Sequence, residues 1–289
     1  MIPPWVDRAE YPFEPRTFDT GAGVMRFVDE GEGAPVVMVH GTPTWSFLYR
    51  HLVKGLRDRH RCVVPDHLGF GLSDKPRGFG YRPAEQAANL ERLVDTLRLK
   101  DITLVVHDFG GPIGLAYAIA HPENVRRLVL FNTWMWSFRG DRRMELAGRV
   151  LGSPVGRVLY WFGFSVQRLW RNAIKDHRRY TPAVHHHYVA PLASPVARHA
   201  TWVYARELLG SSDWYASLWA RRDRIGRIPA LLVWGLRDPA FGGALPRWRT
   251  VFERAQVVEL PDAGHAPPEE RAPEILPALR EFLAKETES

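Results

Sequence analysis

The stretch that most constrains the fold is Leu104 to Gly114, Leu-Val-Val-His-Asp-Phe-Gly-Gly-Pro-Ile-Gly, where the hydrophobic period changes abruptly around an acid. Asp101 to Val106 is a short β-branched run of the kind that makes a buried strand. Ile113 to Ala120 is apolar and helix-forming, and Pro112 suits a first helical turn. Asp108 therefore sits on a strand-to-helix turn. Gly110 and Gly111 let the chain turn sharply and the helix pack closely on the sheet, while the first N–H groups of the helix face any charge beside the turn. This is the arrangement of a nucleophile elbow, with a carboxylate where many elbows carry serine. The plainer alternative is that Asp108 caps the helix, since Asp is a good N-cap residue. Three other segments favour the nucleophile.

The rest of the chain supplies the setting. Gly23 to Glu30, Pro35 to His40, Arg61 to Pro65 and Arg127 to Phe131 read as strands; Trp45 to Leu56 and Pro83 to Leu97 have helical spacing, the second with Ala87, Leu90, Leu93, Val94 and Leu97 on one face. Residues 1 to 20 are rich in proline and aromatics and are expected to lie over the core. Alternating strands and helices imply an α/β fold, a mostly parallel sheet with helices on both faces. From Trp134 to about Ser212 that rhythm stops, and arginines and aromatics recur at helical intervals. This segment is expected to be a helical cap over the strand ends. The expected organisation is thus a core in two parts, 1–133 and 214–289, with a cap over 134–213. Alternation resumes with a strand at Ala230 to Trp234, a helix near Leu245 to Arg254, a strand at Gln256 to Leu260 and a helix from Pro273 to Ala284.

Two more strand ends carry reactive side chains. Gly235-Leu236-Arg237-Asp238 follows one strand and Pro261-Asp262-Ala263-Gly264-His265 the next, on the same sheet edge as His40-Gly41-Thr42-Pro43. Open α/β sheets bind ligands beyond the carboxyl ends of their strands. Gly41 allows close backbone approach there, leaving the N–H of Thr42 to face a site. An imidazole can take a proton from water, and a carboxylate on its other nitrogen fixes the tautomer and stabilises the imidazolium. The order Asp108, Asp238, His265 is nucleophile, acid, histidine, as in α/β-hydrolases. Asp262 is the competing acid, on a turn three residues from His265.

Other features point to packing. Asp66 and Asp74 flank a glycine-punctuated loop without a metal-ligand pattern and are expected to hold it by side chain to backbone bonds. His185, His186 and His187 are successive helix residues pointing about 100° apart, which cannot close on one ion. His107 points to the opposite face of its strand from its neighbour, as a structural histidine would. Trp134, Met135 and Trp136 are candidates for lining the seam between cap and core. A formal charge of +7 invites a nucleic-acid reading, but the arginines are interspersed with acids and form no compact basic run beside exposed aromatics. The single cysteine, Cys62, allows no intrachain disulfide and suits a reducing, cytoplasmic setting. Met1 to Tyr11 has charges and prolines where a signal peptide needs an apolar core, and no membrane-length apolar run exists.

The segments 40–50 (His-Gly-Thr-Pro-Thr-Trp-Ser-Phe-Leu-Tyr-Arg), 65–76 (Pro-Asp-His-Leu-Gly-Phe-Gly-Leu-Ser-Asp-Lys-Pro), 101–111 (Asp-Ile-Thr-Leu-Val-Val-His-Asp-Phe-Gly-Gly) and 262–265 (Asp-Ala-Gly-His) resemble the haloalkane dehalogenases of the α/β-hydrolase superfamily. An aspartate elbow is shared with epoxide hydrolases and β-lactone decarboxylases. The resemblance implies a two-step reaction without metal or cofactor. Asp108 displaces halide from carbon and forms an ester; His265, backed by Asp238, activates water against that ester, with the N–H groups of Thr42 and Phe109 holding the oxyanion. The implied partners are a small apolar electrophile and water, with neither nucleic acid nor membrane; the sequence sets no oligomeric state.

Two departures bear on substrate. These dehalogenases usually follow the nucleophile with a halide-binding Trp, and many follow His-Gly with Asn; here Phe109 and Thr42 stand at those places. Phe offers no donor. Haloalkane activity then requires a cap residue to supply one, and Trp161, Trp170 and Trp134 are the candidates for halide binding or pocket lining. Epoxide or β-lactone opening is the alternative, with Tyr160, Tyr180, Tyr188, Tyr204 and Tyr215 as sources of a proton, although the usual His-Gly-Phe-Pro start is absent. Phe109 also argues against fluoroacetate, which calls for Arg there. A non-catalytic small-ligand receptor on the same fold is the alternative of another class.

Overall fold

Runs such as Val36–Val39 and Leu104–Val106 have apolar side chains on both strand faces, so they are stable only in the middle of a covered sheet. The computed structural model describes residues 2–285. In it eight strands form one sheet: β1 (Arg16–Asp19), β2 (Val24–Glu30), β3 (Ala34–Val39), β4 (His60–Pro65), β5 (Ile102–Asp108), β6 (Val125–Thr133), β7 (Ala230–Gly235) and β8 (Gln256–Leu260). Their spatial order is β1-β2-β4-β3-β5-β6-β7-β8. The first two pairings are antiparallel and the remaining five parallel. Val36, Met38, Val105, Val129 and Phe131 pack in one apolar layer; Val37, Val39, Leu104, Val106, Leu128 and Leu130 pack in the other. β5 and β7 are buried at every residue. This places β5 and its terminal Asp108 at the centre of the sheet, where both layers resist movement.

The first twenty residues only partly follow expectation. Tyr11 is buried against Trp45 and Phe47, with Phe13 edge-on to Tyr11, over the core. Arg16–Asp19, however, is a strand pairing with β2. It is short, charged and mostly exposed, as suits a sheet edge that must not recruit other strands. The helix expected to reach Arg254 ends at Arg249. Val251 and Phe252 both donate to the carbonyl of Trp248, a tight closure that turns Phe252 inward to 2% exposure.

Between β6 and β7 lie helices and turns: Arg142–Gly152, Pro154–Trp161, Ser165–Trp170 continuing into the short Arg171–Ala173, Pro182–Val189, His199–Gly210 and Ser212–Ala220 among them. Sequence-local chemistry starts several of them. Asp141 accepts from the N–H groups of Arg143 and Met144, Ser153 from Gly156 and Thr181 from Val184, with Pro154 and Pro182 in first turns. Gly148 lets the helix Arg142–Gly152 lie against His199–Gly210, since a Cβ there would come within 2.7 Å of the Leu209 side chain. Among the described residues no helix is long and apolar enough to cross a membrane.

Candidate active site

Asp108 has φ +52°, a left-handed conformation that is strained for a residue with a side chain. The strain is held by its surroundings. A Cβ on Gly110 would run into the carbonyl of Val39, and one on Gly111 into the hydroxyl of Thr133; that hydroxyl donates to the carbonyl of Asp108 itself. Gly41 has no Cβ because the Asp108 carboxylate occupies that space. The close approach lets the Thr42 N–H donate to Asp108 Oδ1 at 2.8 Å. His40 and His67 brace this strand end: His40 Nε2 accepts from the His67 N–H at 3.0 Å, and the rings lie 4.4 Å apart. Burial, and then each other's proximity, keeps His40 far below the usual histidine range, so it is neutral. Asp66 and Asp74 hold the neighbouring loop, Asp66 by the N–H groups of Ser46 and Leu72 and Asp74 by that of Val24.

His265 meets both acids. Its Nδ1 lies 2.9 Å from Asp238 Oδ2 and its Nε2 3.5 Å from Asp108 Oδ2. Asp262, the competing acid, lies exposed on its turn. Asp238 is fixed by Asn132, whose amide donates to Oδ2 at 2.9 Å and also spans both polar groups of Gly235, and by the N–H of Ala240 on Oδ1 at 2.7 Å. Burial opposes charge on His265, but the Asp238 and Asp108 carboxylates prevail and raise it from 6.5 to about 10. Burial likewise opposes charge on Asp238, and His265 outweighs it, holding that carboxyl below its usual range. Both carboxylates thus favour the protonated form of the His265 ring.

Two of the residues that fix the His265 loop, Glu270 and Ala173, escape a reading of the sequence, and the third, His107, does not. Glu270 is fully buried, and its carboxyl accepts the N–H groups of Gly264 at 3.0 Å, Ala266 at 3.2 Å, Lys175 at 2.7 Å and Asp176 at 3.0 Å. It thereby ties the His265 turn to the cap. Ala173 accepts the His265 N–H at 3.0 Å, and His107 Nε2 donates to the His265 carbonyl at 2.7 Å. His107 is thus structural, as expected, but what it holds is the loop bearing the other histidine. Asn132 had one legible cue, a polar residue ending an apolar strand next to the elbow; Glu270, in an acidic and proline-rich run, had none.

The three side chains open on a cavity of about 270 Å³, walled by Phe109, Met144, Leu151, Leu169, Trp170 and Phe241 among others. Of the candidate tryptophans, Trp170 lines it. Its indole nitrogen is buried and has no hydrogen-bond partner among the described residues. Trp161 does not line it: the residue is 50% exposed on the outer face of the cap, because Tyr160 is the inward neighbour on that helix. Trp134 lies one layer behind, its ring 4.7 Å edge-on to Phe109 and 4.6 Å from Phe241, which form the wall. Trp136 packs on Trp219 and Trp248, so this segment seals the seam without lining the cavity. Of the five tyrosines only Tyr160 lines the cavity, and its hydroxyl has no hydrogen-bond partner among the described residues. Tyr180 and Tyr188 bond His185 and Glu269, and Tyr215 bonds the carbonyl of Glu207.

The sheet order, the elbow and the capped cavity together define an α/β-hydrolase, and the α/β hydrolase fold family matches residues 34–272. Haloalkane dehalogenase 2 of Mycobacterium tuberculosis is 41% identical over 94% of this chain and 95% of its own. A cis-3-alkyl-4-alkyloxetan-2-one decarboxylase of Shewanella oneidensis is 35% identical over 96% of this chain and 90% of its own. The crystal structure of a haloalkane dehalogenase from Bradyrhizobium elkani superposes with a TM-score of 0.83 at 24% identity, covering 94% of this chain and 98% of that one, a likeness of fold. The chain belongs to the haloalkane dehalogenase-like hydrolases of the α/β-hydrolase fold family.

Proposed function

We propose that this hydrolase cleaves carbon–halogen bonds through a covalent ester on Asp108. The observation that carries the reading is one carboxylate with its two oxygens in different circumstances. Oδ1 is tied to the Thr42 N–H, while Oδ2 faces His265 and the apolar cavity. Attack by Oδ2 on a halogenated carbon forms the ester bond, and the halide departs with the bonding pair. Oδ1 then becomes the ester carbonyl oxygen, already on the donor that the tetrahedral oxyanion needs; the Phe109 N–H, next along the elbow, is the second donor. Alkylation also cancels the Asp108 charge. His265 loses one of the two carboxylates that keep it protonated, so its pKa falls and it gives up a proton, as a base must. It takes a proton from water, whose oxygen attacks the ester carbonyl; alcohol leaves, Asp108 is restored and a net proton is released. Asp238 holds the ring and steadies the imidazolium throughout.

A second reading is β-lactone opening. Phe109 gives a halide no donor, whereas Tyr160 brings a hydroxyl into the cavity, and burial and then the Asp108 charge push it far above the usual phenol range, so it stays a donor. The 35% identical relative named for oxetanone decarboxylation fits this reading. The contact between His265 and Asp108 favours turnover over a receptor that only binds.

The test is to incubate a His265→Gln variant with haloalkanes, epoxides and β-lactones and to weigh the protein. A haloalkane is expected to leave a stable alkyl adduct on Asp108, because the first step proceeds and the second is blocked. Labelling by β-lactones or epoxides with none by haloalkanes would sink the dehalogenase reading.

A further inference from the structure

Outside the catalytic cavity, and sharing only Tyr160 with it, lies a surface groove of about 240 Å³. Its lining carries Lys75, Arg77, Arg157 and Arg198 and no Asp or Glu. The Arg198 guanidinium is fixed by the carbonyls of Leu192 and Ala193, both at 2.7 Å, and of Trp161, which orient its charge without neutralising it. Arg157 stacks over Trp202, its guanidinium carbon 5.2 Å from the ring centroid. Among the described residues neither Arg157 nor Arg77 gives a side-chain hydrogen bond to a protein acceptor. Lys75 donates to the carbonyls of Gly71 and Ser73, and Asp66 and Asp74 behind it offset part of its charge.

Planar guanidinium groups with free donors suit an oxyanion, which they can hold with two parallel bonds. Arg157 and Arg206 both lie over the ring of Trp202, and Pro195 and Val196 in the same lining offer an apolar surface to an alkyl chain. Tyr160 forms one wall of both spaces, and no hydrogen bond latches its hydroxyl in place. We infer that the groove seats the oxyanion end of an amphiphilic substrate, with its alkyl chain running beside Tyr160 to put the reactive carbon at Asp108. This rests on the ester mechanism above and adds to it a substrate class: a chain electrophilic at one end and anionic, as a carboxylate, at the other. The catalytic cavity then recognises the apolar part by shape, and the groove the far end by charge.

The experiment compares kcat/KM for ω-bromocarboxylates with that for 1-bromoalkanes of equal chain length. Once the chain is long enough to clear Tyr160, the carboxylate is expected to be preferred by about tenfold, a preference that shrinks with added salt. In an Arg77→Gln/Arg157→Gln variant the ratio of the two substrates falls back by about the same factor. Calorimetry of octanoate binding to the unaltered and doubly substituted proteins reads the groove without chemistry, and the affinity is expected to drop about tenfold. No carboxylate preference at any length, or a preference and an octanoate affinity that survive the double substitution, would overturn the assignment. Inhibition by chloride without a carboxylate preference would also overturn it, leaving the groove as a halide exit. Failure of the mechanism itself looks different: no haloalkane adduct on the His265→Gln protein, whatever the far end of the substrate.

Discussion

The sheet edge and the cap meet across one cavity but are built on different principles. At the sheet edge every reactive residue is held by a specific polar partner: Asp108 by the Thr42 N–H and the Thr133 hydroxyl, Asp238 by the Asn132 amide and the Ala240 N–H, His265 by the Ala173 carbonyl and the His107 ring. In the cap the walls are apolar side chains on helices, and of two adjacent residues Tyr160 reaches the cavity while Trp161 does not. The first arrangement tolerates few substitutions, because the groups that position the three side chains each have a designated partner. The second can exchange residues and so change which molecule fits while leaving the chemistry intact.

Removing the proposed nucleophile should break this contrast most severely. Asp108→Ala is expected to lower kcat by about 10⁴-fold or more, measured as alcohol released from a bromoalkane, since the other carboxylate of the cavity, Asp238, has both oxygens engaged by Asn132, Ala240 and His265. A substitution at the joint between the regions should act less strongly and on one step only. Glu270→Gln keeps one acceptor oxygen but turns an amide NH₂ toward the N–H groups of Gly264, Ala266, Lys175 and Asp176. The expected cost is about 1.5–3 kcal/mol of stability, read by denaturant unfolding, with ester hydrolysis slowed about tenfold and ester formation little changed. A uniform loss in both steps would mean that Glu270 only stabilises the fold.

The charge pairing at the sheet edge should also be visible as a pH dependence of stability. His265 is raised from 6.5 to about 10 in the folded chain, so its contribution is complete below pH 6.5 and is lost as pH rises through 10. Melting temperature should therefore fall more steeply over that interval in the unaltered protein than in His265→Gln. Equal slopes would mean that the imidazole is not held between two carboxylates. The smallest effect belongs to the cap's outer face. Trp161→Ala removes a half-exposed side chain, and stability should stay within about 0.5 kcal/mol with kcat for a bromoalkane within about twofold. A larger loss of kcat would place Trp161 in the cavity after all.

What could be read from the amino-acid order was the part governed by short-range rules. The elbow was legible because Asp108 follows a β-branched run and precedes Gly110 and Gly111, and a chain can only place such a residue at a tight turn between strand and helix. Asp238 and His265 were legible for the same reason, each a step past an apolar strand on an edge whose direction the parallel order fixes. Tertiary structure alone decided the rest. A helix in the cap exposes whichever face its neighbours do not cover, and no local pattern says that Tyr160 turns inward and Trp161 outward. Nor does any spacing reveal that the carboxyl of Glu270 gathers backbone donors from two distant segments, because that meeting exists only once the cap has closed over the strands.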